Sequence, residues 1–114
     1  MSEKLEQTHA EWISATANCI HMNARAKGWW DTERNDGEMI ALIHSELSEA
    51  LEYARKGNPP DDKVPELSGV AAELADTVIR IMDLCVGRGI DLGQAIVLKH
   101  NFNTTREYKH GKKF

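Results

Sequence analysis

Four carboxylates stand in two pairs: Glu46 and Glu49 within IHSELSEALEYARKG, then Glu73 and Asp76 within AAELADTVIRIMDLC. An i, i+3 spacing sets both acids of a pair on one helix face, so two such helices packed antiparallel surround one small volume with four acids. Converging carboxylates make an oxygen-ligand site for a hard divalent cation, and such cations commonly serve phosphate chemistry. The plainer alternative is a set of ordinary solvent-facing acids. Two pairs on consecutive helices, with Ser45, Ser48, Ala50, Ala72 and Ala75 as small neighbours that leave room for an ion and its waters, favour the site.

A basic and amide set complements the acids. Lys99, Asn103 and Arg106 follow an i, i+4, i+7 spacing that places them on one face of a last helix, and Lys109, His110, Lys112 and Lys113 extend the charge into the tail. Lysine and arginine neutralise phosphate oxygens, arginine as a bidentate fork, and an asparagine amide reads a sugar or base edge. A basic helix C-terminus also complements the helix dipole and needs no ligand for that. Trp29 and Trp30, in AKGWWD, offer either a stacking surface for a nucleobase or a lid on the helical core. His21 and Asn23, one to two turns earlier, are candidates for the same pocket.

The elements that must carry these residues read as helices almost throughout. Leu5, Trp12, Ile13, Thr16, Ile20 and Ala24 trace one stripe between Glu3 and Lys27, ended by Gly28. Met39, Ile40, Ile43, Leu47, Ala50, Leu51 and Ala54 define a second helix closing at Gly57, and GNPPDDKVP breaks the pattern. A third helix is predicted from about Glu66 to Val86, with Val70, Ala71, Leu74, Ala75, Val78, Ile81, Met82 and Cys85 inward. Asp91 has the position of an N-cap for a fourth, with Leu92, Ala95, Ile96 and Phe102 inward and fading near Arg106. No stretch alternates with period two. The expected fold class is all-α, one domain over 1–114 with four main helices in an antiparallel bundle, and the acids lie at the border of the buried stripes.

Composition bounds the partners. The formal charge of −4 at pH 7 argues against a nucleic-acid polymer held on a general basic face. Cys19 and Cys85 have no second sulfur or histidine at ligand spacing and read as buried free thiols. MSEKLEQTHAEW is polar, unlike a signal peptide, and no apolar run approaches a membrane span, so a soluble cytoplasmic protein is expected.

The ordered acids resemble the E-x-x-E then E-x-x-D signature of the MazG-like all-alpha nucleoside triphosphate pyrophosphohydrolase superfamily. KGWWD, RNDGEMIALIHSELSEALEYARKG, ELADTVIRIMDL and Lys99, Asn103 and Arg106 with YKHGKKF are similar to its small single-domain members of bacteria and phages. The resemblance implies Mg2+, with Mn2+ as a substitute, at Glu46, Glu49, Glu73 and Asp76, and hydrolysis of a (deoxy)nucleoside triphosphate to the monophosphate and pyrophosphate. It implies Lys99 and Asn103 as nucleotide contacts, with Arg106 as the natural third, and a dimer or dimer of dimers; Trp29, Trp30 and His21 are the pocket candidates read from the residues, and Glu46 or Glu49 is the expected acceptor of the water's proton. A role in cleansing nucleotide pools would follow. The alternative is a helical nucleotide-binding or regulatory protein on the same scaffold, without turnover.

Overall fold

The computed structural model describes residues 3–114. Four helices account for most of them: α1 (Gln7–Ala26), α2 (Asp36–Arg55), α3 (Gly69–Gly87) and α4 (Leu92–Asn103), followed by one 3-10 turn at Tyr108–Gly111. Each helix starts on a side chain that satisfies free backbone N–H groups. Glu6 and His9 form a reciprocal capping box for α1. Asn35 accepts from Glu38 N, Ser68 from Ala71 N and Asp91 from Gln94 N. The predicted cap at Asp91 is therefore in place, and its carboxylate also accepts from Ser14 Oγ at 3.1 Å, tying α4 to α1.

Two antiparallel pairs build the bundle. Leu5 meets Asn101 through two hydrogen bonds of 2.8 and 3.0 Å, and Ser14 meets Asp91, so α1 and α4 run in opposite directions. A Cβ on Gly93 would collide with the Ala10 carbonyl, so glycine is what lets these helices approach so closely. On the other side, Glu46 pairs with Arg80 and Asp36 with Arg88, which makes α2 and α3 antiparallel as well. Helix α3 packs against both α2 and α1, whereas α2 touches neither α1 nor α4. Among the described residues there is no strand, only an isolated bridge between Pro60 and Ser68 within the α2–α3 connection. None of the described helices is long and apolar enough to cross a membrane.

The buried faces differ from those read off the apolar spacing. Helix α1 buries Ala10, Ala17 and His21, while Trp12 is 72% exposed and Thr16 faces solvent. On α2 the inner face is Met39, Ile43, Glu46, Ala50 and Tyr53, leaving Ile40, Leu47, Leu51 and Ala54 exposed. On α3 it is Ala72, Glu73, Thr77, Asp83 and Cys85, leaving Ala71, Leu74, Ala75 and Val78 exposed. On α4 the stripe is displaced to Gly93 and Val97, and Ala95, Ile96 and Phe102 turn outward. Cys19 is exposed rather than buried, and only Cys85 matches the expected buried thiol.

The physical reason is common to all four helices: small residues, not large ones, set the close contacts. Ala10, Ala17, Ala50, Ala72 and Gly93 sit in the helix contacts, and several large aliphatic residues of α2 and α3, Ile40, Leu47, Leu51, Leu74 and Val78, lie on exposed faces. No large side chain is completely enclosed among the described residues. The Cα radius of gyration, 16.4 Å, exceeds the value of about 13 Å usual for a compact chain of this length.

Candidate metal and nucleotide site

Glu46, Glu49 and Glu73 converge in the α2–α3 interface, with one carboxylate oxygen from each lying within 4.8 Å of the others. Glu46 belongs to the inner row of α2 and Glu73 is only 7% exposed, so both acids sit inside the helix contact rather than at its border. Asp76, one turn along α3 from Glu73, is exposed and lines the same cavity wall as Glu46. The structure thus joins three of the four candidate metal acids closely and places the fourth beside them.

A carboxylate buried among carboxylates needs a proton, a cation or a hydrogen-bond donor. Arg80 Nε donates to Glu46 Oε1 at 2.9 Å, neutralising one member. Glu73 has no such partner: its Oε2 is fully enclosed without a hydrogen bond. Hydrogen bonding to Glu46, burial and the proximity of Glu49 push its carboxyl up to about 8. Burial and the charge of Glu46 also raise Asp76, against the pull of Arg80. An orphaned buried oxygen facing two further carboxylates is the donor set a hard divalent cation takes, so these residues fit Mg2+.

Two cavities meet at this cluster and share Glu46, Asp76 and Ile79 as a common wall. One, of about 480 Å³, runs between α1 and α3 and is bounded by Ile20, Asn23, Trp29 and Arg34. The other, of about 690 Å³, contains Glu49 and Glu73 and extends beneath the α2–α3 connection. Ligand clefts that combine an apolar wall with a few convergent polar groups are of this size.

The tryptophans divide their roles. Trp29 is 57% exposed and lines the first cavity. Trp30 turns inward, covers Gly87 and donates from Nε1 to Asp83 Oδ1 at 2.8 Å. His21 is buried and its Nδ1 reaches the same oxygen at 2.8 Å; since a carboxylate only accepts, the ring nitrogen donates. Arg34 completes the hub, 3.4 Å from Asp83 Oδ2 and 5.0 Å above the Trp30 ring. Asn23 lines the cavity, whereas His21 and Trp30 do not and are held by Asp83, which does.

The α4 residues lie elsewhere. Lys99 and Arg106 flank the exposed Phe102 ring at 5.7 and 5.8 Å, and Asn103 lines a cleft with Glu3, Leu5, His100 and Thr104. None of the three borders either central cavity within one chain. Helix α4 ends at Asn103, so Arg106 follows a turn and the helical spacing does not carry to it.

Arg80, Asp83 and Arg34 were not singled out by sequence, although Arg80 and Asp83 lie four and seven residues after Asp76 and so share its helix face. That spacing was the available signal. No protein-family model matches the chain, and neither a curated protein nor a solved structure matches it.

Proposed function

We propose that this chain hydrolyses a nucleoside triphosphate to the monophosphate and pyrophosphate with Mg2+ as cofactor. The observation that carries the reading is the enclosed, unpartnered Glu73 oxygen facing Glu46 and Glu49, beside a cleft to which Trp29 contributes its indole. Glu46, Glu49, Glu73 and Asp76 hold the cation, which when bound neutralises the triphosphate and acidifies water. The cleft beside Trp29 receives the nucleoside, with the indole face as stacking surface.

In the step itself, a water oxygen bonds to the α-phosphorus. The bond from that phosphorus to the α,β-bridging oxygen breaks, and the bridging oxygen departs with pyrophosphate. The water's proton passes to Glu46 or Glu49, the exposed Glu49 being free of the Arg80 ion pair that occupies Glu46. Arg80 holds Glu46 in register, and the Asp83 hub fixes Arg34 and the base of the cleft.

A homodimer or dimer of dimers belongs to the same proposal. Leu47 and Leu51 on α2, and Leu74 and Val78 on α3, are large, exposed and spaced for one face of each helix. Exposed apolar rows of this kind are what a partner surface covers, and a second copy would also bring an α4, with Lys99, Asn103 and Arg106, toward a neighbouring cleft.

A panel of ribo- and deoxynucleoside triphosphates incubated with Mg2+ and followed by pyrophosphate release tests the activity. Glu49→Gln is expected to keep the helical circular-dichroism signal and lose at least about a hundredfold in turnover. Full turnover in that variant, or no pyrophosphate from any member of the panel with the wild type, removes the reading.

A further inference from the structure

The second cavity holds two lysines among its acids. Lys56 caps the C-terminus of α2, and Lys63 lies on the α2–α3 connection; both line the space that contains Glu49 and Glu73. Among the described residues, neither lysine makes a salt bridge, although Glu52, Asp61 and Asp62 line the same cavity. Lys56 Nζ lies 4.5 Å over the Tyr53 ring instead. Asp61 turns its carboxylate to the backbone, accepting from Lys63 N at 3.0 Å and Val64 N at 2.9 Å. The segment is pinned further by Asp61 N to Leu67 O at 2.9 Å and Gly69 N to Pro59 O at 2.8 Å.

The two ends of the site therefore differ in chemistry. Beyond the acid cluster on one side lies the cleft of Ile20, Ala24 and Trp29, whose two cations, Arg34 and Arg80, are already paired with Asp83 and Glu46; on the other lie two lysines that no carboxylate pairs, on a backbone held in place. The basic residues of α4 stand outside both cavities and stack on Phe102. Lysine binds phosphate as a compact point charge and needs no fixed fork geometry, which suits exposed positions at a cavity mouth.

We propose that Lys56 and Lys63 form the subsite for the β- and γ-phosphoryl groups, so that inorganic pyrophosphate is the anion this end binds and releases. The assignment rests on the pyrophosphohydrolase reading and fixes the direction of the substrate: nucleoside toward Trp29, terminal phosphates toward the α2–α3 connection. It also makes Lys56 and Lys63, rather than Lys99 of α4, the counterions of the leaving group.

Calorimetric titration of the full chain with inorganic pyrophosphate in Mg2+ tests the subsite apart from turnover. The wild type is expected to bind, the Lys56→Gln/Lys63→Gln double variant to bind at least about 10-fold more weakly, and the double arginine variant to stay within about threefold of the wild type. Inhibition of hydrolysis by pyrophosphate should weaken in parallel, while inhibition by the nucleoside monophosphate should change less than about twofold. Equal pyrophosphate affinity in wild type and glutamine variant, or no binding by the wild type, overturns the subsite. Equal loss for monophosphate and pyrophosphate also overturns it, since a merely structural role would move both. If the double glutamine variant does not melt like the wild type, each single variant is compared in the same way. Absence of pyrophosphate release from every nucleotide by the wild type is instead the failure of the activity reading.

Discussion

Replacing Glu73 by glutamine should stabilise the metal-free protein at high pH and abolish its response to Mg2+. The carboxyl is enclosed, with one oxygen unpartnered, and its hydrogen bonding to Glu46, its burial and the proximity of Glu49 raise it from 4.5 to about 8. The folded chain thus holds this proton more tightly than the unfolded chain. Between those two values folding takes up a proton, so stability falls as pH rises, by about 1.4 kcal/mol per pH unit for one full proton. The stabilising contribution is complete below the unfolded value and is lost by the time pH has passed the folded one. Over the whole window the loss is bounded on the order of 5 kcal/mol. The proton is shared among three carboxylates and the helices relax, so about 1–3 kcal/mol is the expected gain on removing the charge. Glutamine keeps the shape, can still donate to Glu46 and Glu49, and cannot ionise. For a chain of this size that gain raises Tm by about 4–12 °C at pH 8.5 in a chelator, while the two proteins melt together near pH 4.5. With Mg2+ about a thousandfold above its Kd the order reverses, because the wild type gains about 4.1 kcal/mol from the bound ion and the variant does not. Circular-dichroism melts at one protein concentration, with chelator and with Mg2+, read both effects. A variant less stable than wild type at pH 8.5 in chelator, wild-type stability that rises between pH 5 and 8, or equal stabilisation of both proteins by Mg2+ would refute the account.

The paired tryptophans should separate in kind. Trp30→Ala removes the ring that covers Gly87 and a donor to Asp83, and is expected to lower unfolding free energy in urea by about 3–5 kcal/mol. Trp29→Ala should stay within about 1 kcal/mol of wild type in the same titration yet raise KM for the nucleotide. Leu51→Glu combined with Val78→Glu places charge on the exposed faces of α2 and α3 and should shift sedimentation from oligomer to monomer; a wild type that already sediments as a monomer counts against the proposed interface.

Helix ends were legible where their determinants are local, whereas the starts expected near Glu3 and Glu66 fall at Gln7 and Gly69. Asp91 and the breaker GNPPDDKVP act within a few residues of the positions they control, and the structure keeps both. Buried faces were not, because a face is chosen by the partner helix. Helices α2 and α3 each carry two rows able to pack, and the row with small and polar residues, Glu46 with Ala50 and Ala72 with Glu73, meets within the chain. Apolar spacing alone selects the other row. The acid pairs were legible as spacing, yet the depth of Glu73 was not, since it follows from that inverted packing. For the same reason the Asp83 hub escaped notice: His21, Trp30 and Arg34 are far apart in sequence and meet only once α1 and α3 are in contact. Arg106 shows the opposite error, a helical spacing extended past the residue where the helix stops.

The same inversion links the site to its proposed assembly. Glu46 and Glu49 alternate along α2 with Leu47 and Leu51, and Glu73 and Asp76 alternate along α3 with Leu74 and Val78. Glu46 and Glu73 face inward and Leu47, Leu51, Leu74 and Val78 outward on the same two helices, so the strength of the α2–α3 contact depends on what neutralises its carboxylates. Arg80 does this for Glu46, while Glu73 relies on a proton or a cation. A second copy covering the outer leucines would hold the acid-bearing backbones from the opposite side without touching the cluster. Such support would lower the cost of keeping Glu73 ionised in place, because the helices could not splay to relieve the repulsion. Mg2+ binding and association should consequently strengthen one another, each favouring the same antiparallel pair of helices.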